Sequence, residues 1–231
     1  MIPFRENRPL HWLAGGTALA MGVSAFRPTM VFDWWLENLL VFLLLLFLAA
    51  TYRRIPLSTF AYAMIFGFLL VHEWGAHHKY ADVPLGEWMK DWLHTTRNHY
   101  DRVSHFAFGF FLSVPLREAF VATAGHRGFW SYFIPVEFAL AAGAVYEVIE
   151  SIVAEIVTPE QGEAFVGMQG DMWDAQKDIA LGGAGAFLMM AALWMNASRS
   201  EDRTRVNIRD AGFGIVEKDV NLFKRSEEAG E

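Results

Sequence analysis

The chain has 231 residues, of which 54% are hydrophobic, and it includes 20 Phe and 9 Trp. Soluble domains are about 45–50% apolar, so this composition favours a membrane protein. The sequence has no Cys, which excludes a disulfide framework, thiolate metal sites and a Cys nucleophile. The net charge of -7, without a basic patch, argues against nucleic acid as a partner.

Six apolar stretches follow one another along the chain, each close to the length of a membrane-crossing helix. About 20 helical residues span the hydrocarbon core of a bilayer, and small residues recur on several stretches, as close helix packing in lipid requires. We therefore predict an all-α, polytopic membrane helix bundle of about six transmembrane helices over residues 1–197. A charged, flexible cytoplasmic tail is expected over residues 198–231. The stretches are 10–26, 34–52, 57–71, 101–123, 129–153 and 174–197.

The Lys and Arg residues predict the orientation of the bundle. With the N-terminus in the cytoplasm, 13 of the 19 fall on the inner side and 6 on the outer side, as the positive-inside rule requires. Both termini are then cytoplasmic, in a multi-pass protein of the bacterial inner membrane. The first stretch has a second interpretation, because Arg5 and Arg8 precede an apolar run that ends in small residues, as in a signal peptide. Cleavage there would leave five spans in the same orientation.

Acidic and His side chains cluster at the outer ends of the stretches, in groups that share a helix face. Residues three or four positions apart lie on one side of a helix, and bundles lined with carboxylates and imidazoles form two-metal sites. We expect these groups to meet in one pocket and to bind a divalent metal (Zn, Mn, Fe or Mg), because no sulfur ligand is present. The predicted ligands are Glu73, His77, Asp101, His105, Glu147, Glu150, Asp171, Asp174 and Asp178.

Several of these residues also have a purely structural interpretation. Three of the Asp residues stand where predicted helices begin, and N-capping is common there. Glu73 and His77 are also consistent with an interfacial ion pair. Glu147 and Glu150 lie near the end of their helix, where the helix dipole disfavours negative charge, so a structural role explains them poorly. We take Glu150 and His105 as candidates for a catalytic general base.

Three segments resemble a known family: NHYDRVSHF at 98–106, AVYEVIE at 144–150 and GDMWDAQKD at 170–178. Over roughly residues 10–197 the chain resembles the YjdF-like bacterial inner-membrane proteins, which are multi-span proteins of unknown function. It is more distantly similar to the VanZ-like membrane proteins, some of which are associated with glycopeptide resistance, at Asp101, His105 and Asp178. The resemblance implies a multi-span membrane fold and draws attention to these residues, but neither family implies a reaction.

The favoured function is a metal-dependent hydrolase whose site faces the outer leaflet and which acts on a lipid-linked or envelope substrate. The alternatives are a transporter for divalent cations or protons and a non-catalytic scaffold; a di-iron oxygenase is disfavoured because too few His remain for further His boxes. A transporter needs polar residues across the whole membrane, and away from the outer cluster the chain offers only Glu137 and hydroxyls such as Ser113. Membrane lipids are the expected partners.

Overall fold

The computed structural model describes residues 3–210, and within that range the regular structure is entirely helical. All six apolar stretches form helices, which confirms the predicted all-α bundle. Two short helices and two 3₁₀ helices, Phe4–Glu6 and Tyr80–Asp82, lie between or before them. The helices are α1 (Arg8–Ser24), α2 (Val31–Thr51), α3 (Thr59–His78), α4 (Pro84–Leu93), α5 (Tyr100–Ala124), α6 (Trp130–Ile156), α7 (Pro159–Val166) and α8 (Asp174–Asp210).

Five helices, α2, α3, α5, α6 and α8, are long and apolar enough to cross a membrane. The sixth, α1, has 17 residues and is slightly short of that length. The uncovered face of α2 is rich in large apolar side chains: Leu39, Leu43 and Leu46 are between 54% and 66% exposed. A contiguous apolar surface of this kind is typical of contact with lipid, so the exposed face of α2 indicates a membrane-embedded bundle.

Successive spans run in opposite directions, so the bundle has two distinct ends. At one end the loop before α2 meets the end of α3, where the Thr29 N–H donates to the His77 carbonyl at 2.9 Å. At the other end the start of α3 meets the end of α5, where the Ser58 hydroxyl donates to Glu118 at 2.6 Å. The first of these, which we call the polar end, contains the starts of α2, α5 and α8 and the ends of α1, α3 and α6.

The helices α5 and α8 cross with their backbones in contact. A Cβ atom added to Gly109 would stand 1.8 Å from the Gly182 carbonyl oxygen, and one added to Gly185 would stand 2.2 Å from the Phe106 carbonyl oxygen. Only glycine allows this approach, as at other close helix crossings in membranes. Gly109 lies one turn beyond His105 on α5, so the crossing also places the polar residues at the start of α8 beside α5.

The predicted end of the bundle at residue 197 does not coincide with the end of a helix, because α8 continues to Asp210. The chain divides into two compact units between Ala191 and Ala192. The candidate site lies wholly within the first unit. Residues 211–231, which make up most of the predicted tail, lie outside the described residues.

Candidate metal centre

Three side chains at the polar end each offer one potential ligand atom to a common point. The ligand atoms of Asp101, His105 and Asp178 all lie within 4.8 Å of one another. Asp101 and His105 are one turn apart on α5, and α8 brings Asp178 to them. Asp178 is 1% exposed, and its Oδ1 atom has no hydrogen-bond partner among the described residues. Because a buried charged oxygen without a partner is costly, this cluster fits a bound cation.

Two carboxylates of α6 extend the cluster. The His105 Nε2 atom lies 3.5 Å from Glu147 Oε1 and 3.6 Å from Asp101 Oδ1. Glu150 is buried and has the carboxylates of Asp101, Glu147 and Asp178 among its electrostatic neighbours. The structure therefore brings together five of the nine predicted ligands, which come from α5, α6 and α8.

The two remaining Asp residues of the predicted set are paired with basic side chains. Arg97 Nη2 lies 2.6 Å and 2.7 Å from the two carboxylate oxygens of Asp174. Asp171 forms ion pairs with Lys177, at 2.6 Å, and with Arg102. Lys177, a backbone N–H and Arg102 together hold the pKa of Asp171 below its usual range. These pairs fasten the segment before α8 to the start of α5. Asp171 is thereby compensated, whereas Asp174 is also an electrostatic neighbour of Asp101, Glu147 and Asp178 and lies at the edge of the cluster.

N-capping is the structural alternative for Asp101, Asp171 and Asp174. Only the contacts of Asp171 resemble a cap, and they do so in part. Asp101 lies inside the first turn of α5, which begins at Tyr100 without a side-chain cap. Asp171 Oδ1 accepts the Trp173 N–H at 3.1 Å, a local turn that leads into α8. Asp101 is therefore available to the cluster, whereas Asp171 has a structural role.

Glu73 and His77 contact a different part of the bundle. Glu73 is buried and accepts a hydrogen bond from the Ser24 hydroxyl, and the Trp34 indole N–H donates to the same hydroxyl at 3.0 Å. His77 Nδ1 lies 2.9 Å from the Ser24 carbonyl oxygen. These two predicted ligands thus join α3 to the end of α1 and the start of α2.

An acidic pair on α2 was missed by the sequence analysis. Asp33 and Glu37 are four residues apart, on one helix face, at the polar end. The Tyr146 hydroxyl of α6 donates to Glu37 Oε2 at 2.8 Å. Asp33 is 5% exposed, and neither of its carboxylate oxygens has a partner among the described residues. The same spacing that drew attention to Asp101 and His105 was present here, but the apolar stretch was taken to begin one residue after Asp33.

A cavity with a volume of about 630 Å³ is lined in part by Asp101, His105 and Glu150 of the candidate metal cluster. Most of its wall is apolar and comes from α2, α3, α5 and α6. Burial and the nearby Glu37 carboxylate raise the pKa of Tyr80, which lies in this wall, and its hydroxyl is 2.8 Å from His72 Nδ1. Apart from Thr51, the polar part of the lining is confined to the polar end of the bundle. It consists of Asp33, Glu37, His72, Lys79, Tyr80, Asp101, Ser104, His105, Tyr146, Glu150 and Gln169.

A cap closes the polar end of this cavity. Phe165, Val166, Gly167 and Gln169 contribute to the lining. The Gln169 side chain accepts the Asn98 N–H at 2.9 Å and donates to the Asn98 carbonyl at 3.1 Å. This two-way pair ties the segment after α7 to the segment before α5 and covers the cavity on the side of the polar end.

Comparison with known proteins agrees with the membrane architecture. Residues 9–199 match the family described as "Predicted membrane protein (DUF2238)". The "Inner membrane protein YjdF" of Escherichia coli (strain K12) is 35% identical to the chain over 159 residues, which are 68% of this chain and 74% of the relative. No solved structure matches the chain.

Proposed function

The chain belongs to the DUF2238 family of predicted membrane proteins, in keeping with its YjdF-like resemblance, and from the residues of its candidate site we propose that it is a metal-dependent hydrolase. It is an integral, multi-pass membrane protein with five helices that can span a bilayer. Its relative is named as an inner membrane protein, and we place this chain in the bacterial inner membrane as well. The proposed substrate is a lipid-linked or envelope molecule that reaches the cavity beside the cluster.

The observation that carries this proposal is the Asp101–His105–Asp178 cluster, whose ligand atoms lie within 4.8 Å of one another. Two carboxylates and one imidazole form a donor set suited to Zn, Mn, Fe or Mg. The unpartnered Asp178 Oδ1 supports a cation at this point. Carboxylates held this close repel one another unless they are protonated or neutralised, and a divalent ion supplies that neutralisation.

The residues of the cluster divide naturally into ligands and a base. A bound cation would polarise the scissile group and make water a better nucleophile. His105 is better placed as a ligand, because its Nε2 atom lies between Asp101 and Glu147. Glu150 lines the cavity and has no basic partner described, so it is the candidate that takes the proton from the attacking water. The same proton then passes to the leaving oxygen as the scissile bond breaks.

The cavity wall favours a hydrolase over a transporter. Away from the polar end its lining is apolar, apart from Thr51 at the opposite end. Glu137 is exposed on α6 and does not line the cavity. Ser113 is buried, and its hydroxyl donates to the Phe110 carbonyl at 3.2 Å. Ion pathways need polar groups through the membrane, and the described residues of this cavity offer few of them beyond its polar end.

Metal content and metal-dependent stability test this proposal. The purified protein is analysed for bound elements, and its melting temperature is then measured with chelator and after addition of Zn, Mn or Mg. We expect wild type to gain stability with at least one metal, because a ligand bound to the folded state stabilises it. Asp178→Asn should lose most of that gain. Glu155→Gln, an exposed acid on the same α6 helix as Glu150, should keep it, and equal gains in all three proteins would contradict the metal site.

Hydrolysis is tested separately with the full-length protein in vesicles of bacterial lipid extract. We expect slow release of a water-soluble product that stops with chelator and falls by at least about a hundredfold in Glu150→Gln, the range for loss of a general base. If the protein binds metal but releases no product, the proposed metal site stands and the proposed hydrolase activity is refuted.

A further inference from the structure

We propose that the cavity between α2 and α6 binds one aminophospholipid of the surrounding bilayer, with its protonated amine beside Asp33 and Glu37. One of its two acyl chains would lie along the apolar wall, and the other would remain in the bilayer outside the opening between the helices. This inference goes beyond the proposed hydrolase, because it needs neither a metal nor a reaction. It identifies the lipid that would occupy the cavity next to the metal cluster.

The apolar part of the cavity has dimensions suited to one acyl chain. Its wall extends on α2 from Leu40 to Thr51 and on α5 from Phe108 to Ala119. At about 1.5 Å per helical residue, each of these segments is about 16 Å long. The wall begins about 10 Å along α2 from Asp33 and ends at Thr51, the last residue of that helix, so head group and chain together would extend over about 27 Å of the roughly 30 Å hydrocarbon core. A single extended chain therefore matches the apolar wall in both length and chemistry.

The cavity is accessible from the bilayer rather than from the polar end. Phe47 of α2 and Phe138 and Val145 of α6 line it and are also exposed on the lipid-facing surface of the bundle. At the polar end the Tyr146–Glu37 hydrogen bond joins the two helices, and the segment with Gln169 covers the cavity. A lipid can therefore enter sideways, between α2 and α6.

The head-group side carries both charges that a zwitterionic lipid needs. Asp33 is 5% exposed, lines the cavity and has two carboxylate oxygens without a donor. Glu37 lies one turn away on the same helix face. A primary ammonium supplies both positive charge and N–H donors, which is what unpartnered buried carboxylates require. Lys79 is the one Lys or Arg in the described lining, and its long 3.9 Å pair with the exposed Asp82 is weak enough to be exchanged for the lipid phosphate.

This charge pattern distinguishes among common phospholipid head groups. Phosphatidylglycerol has a phosphate but no cation for Asp33 and Glu37. Phosphatidylcholine has a cation, but its quaternary ammonium has no N–H group to donate to the Asp33 oxygens. Phosphatidylethanolamine satisfies both requirements. The proposal therefore predicts that binding affinity falls from phosphatidylethanolamine to phosphatidylcholine to phosphatidylglycerol.

The test uses the full-length protein in nanodiscs and a phosphatidylethanolamine with a photoactivatable group on its acyl chain. Cross-linked peptides are mapped by mass spectrometry, and unlabelled lipids compete with the probe. We expect cross-links on α2 and α6 at the cavity wall, and unlabelled phosphatidylethanolamine should compete roughly tenfold better than phosphatidylglycerol. Cross-links spread over the whole lipid-facing surface, or equal competition by the two lipids, would overturn the proposal.

Three variants separate head-group recognition from chain binding. Asp33→Asn should abolish the preference for phosphatidylethanolamine while cross-linking continues, and Glu155→Gln, outside the cavity lining, should keep the preference. Ala142→Trp, which fills the apolar part of the cavity, should abolish cross-linking with every head group. If that variant does not fold, Ala119→Phe narrows the apolar part of the same cavity from α5. A preference that survives in Asp33→Asn, or cross-links that survive in the filled cavity, would refute the assignment.

Discussion

Three buried carboxylates, those of Asp178, Asp33 and Glu73, have at least one oxygen atom without a hydrogen-bond donor among the described residues. A buried charged oxygen is normally paired, because the loss of hydration is otherwise uncompensated. Asp178 lies in the metal cluster, whereas Asp33 lies in the cavity wall near Lys79. Under the two proposals, Asp178 would bind a metal ion and Asp33 an organic cation, whereas the other oxygen of Glu73 is bonded to Ser24.

Replacement of Glu150 distinguishes a metal site from ordinary hydrogen bonding. Glu150 has Asp101, Glu147 and Glu37 among its charged neighbours. In the metal-free protein, Glu150→Gln relieves repulsion, so we expect its melting temperature to equal or exceed that of wild type. After metal is added, the gain in melting temperature should be smaller than in wild type. Melting curves with chelator and with metal measure both effects.

The matched control is Glu118→Gln, which changes a carboxylate far from the cluster whose two oxygens accept the Ser58 N–H and hydroxyl, each at 2.6 Å. It should lower stability by about 1 kcal/mol with chelator and with metal alike, because only a hydrogen bond is affected. If Glu150→Gln behaves in the same way as this control, Glu150 has no role at a metal.

Acid should selectively remove the contribution of Asp171. Its folded-state pKa is lowered by Lys177, a backbone N–H and Arg102, so the carboxylate stabilises the fold above its unfolded-state pKa of about 3.9. That contribution is lost as pH falls through the folded-state pKa. We expect wild type to melt above Asp171→Asn at pH near 6, with the difference shrinking below about pH 4. Melting curves across this range measure the difference.

Asp82→Asn serves as the comparison for this titration. Asp82 is largely exposed and lies 3.9 Å from Lys79, and exposed ion pairs of this kind contribute little. The melting temperature of Asp82→Asn should therefore equal that of wild type at every pH. A difference between wild type and Asp171→Asn that stays constant down to strongly acidic pH would show that the Asp171 ion pairs do not stabilise the fold.

The spacing of polar residues predicted which side chains share a helix face, but not which neighbour that face meets. Asp101 and His105 lie together as their spacing requires. Glu73 and His77 share a face too, yet the packing of α1 directs that face to Ser24. The basic partners of Asp174 are Arg97, 77 residues away, and, at the longer distance of 3.5 Å, Arg102. Such a pairing depends on tertiary packing, which local periodicity does not contain.

At the scale of the helix, the crossing of α5 and α8 explains why small residues matter near the cluster. Gly109 and Gly182 touch through their backbones. Each lies four residues after a member of the metal cluster, Gly109 after His105 and Gly182 after Asp178. One helical turn therefore separates the closest contact from the polar residues. Any increase in the distance between the helices would separate the ligands.

Gly109→Ala should both destabilise the bundle and weaken metal binding. The new Cβ atom would stand 1.8 Å from the Gly182 carbonyl oxygen, so the helices must move apart. We expect a loss of about 1–3 kcal/mol, as for other overpacked sites, and a smaller metal-induced gain in melting temperature. Thermal unfolding with chelator and with metal measures both.

The matched control is Gly15→Ala on α1, where an added Cβ atom meets nothing within 4 Å. That change should leave metal binding intact and raise helix stability by up to about 1 kcal/mol, because alanine favours the helix. If Gly109→Ala is as stable as this control, the two helices do not approach as closely as described.

For the molecule as a whole, length and hydropathy predicted the helices, because these are local properties of each stretch. The six apolar stretches all became helices. The short helix α4 was not predicted, since it spans ten residues and carries exposed Trp88 and Trp92 on a segment between spans. The site was predicted only in part, since the cavity and its lining arise from packing between α2 and α6, which the sequence does not display.

The orientation of the bundle is a prediction about the whole molecule. The split of 13 to 6 basic residues places both termini in the cytoplasm and the polar end outside. A cysteine at Asp82, at the polar end, should react with a membrane-impermeant reagent added to intact cells. A cysteine at Arg53, in the connection at the opposite end, should react only after permeabilisation. The reverse pattern would place the polar end in the cytoplasm.

The proposed entry between α2 and α6 determines which concentration of the ligand controls its occupancy of the cavity. A molecule that enters through this opening comes from the two-dimensional bilayer, so its occupancy depends on its mole fraction among the lipids. Adding inert lipid to a reconstituted sample would lower occupancy even though the amount of protein, ligand and water stays the same. Rates plotted against bulk concentration would then vary between preparations, whereas rates plotted against mole fraction would fall on one curve.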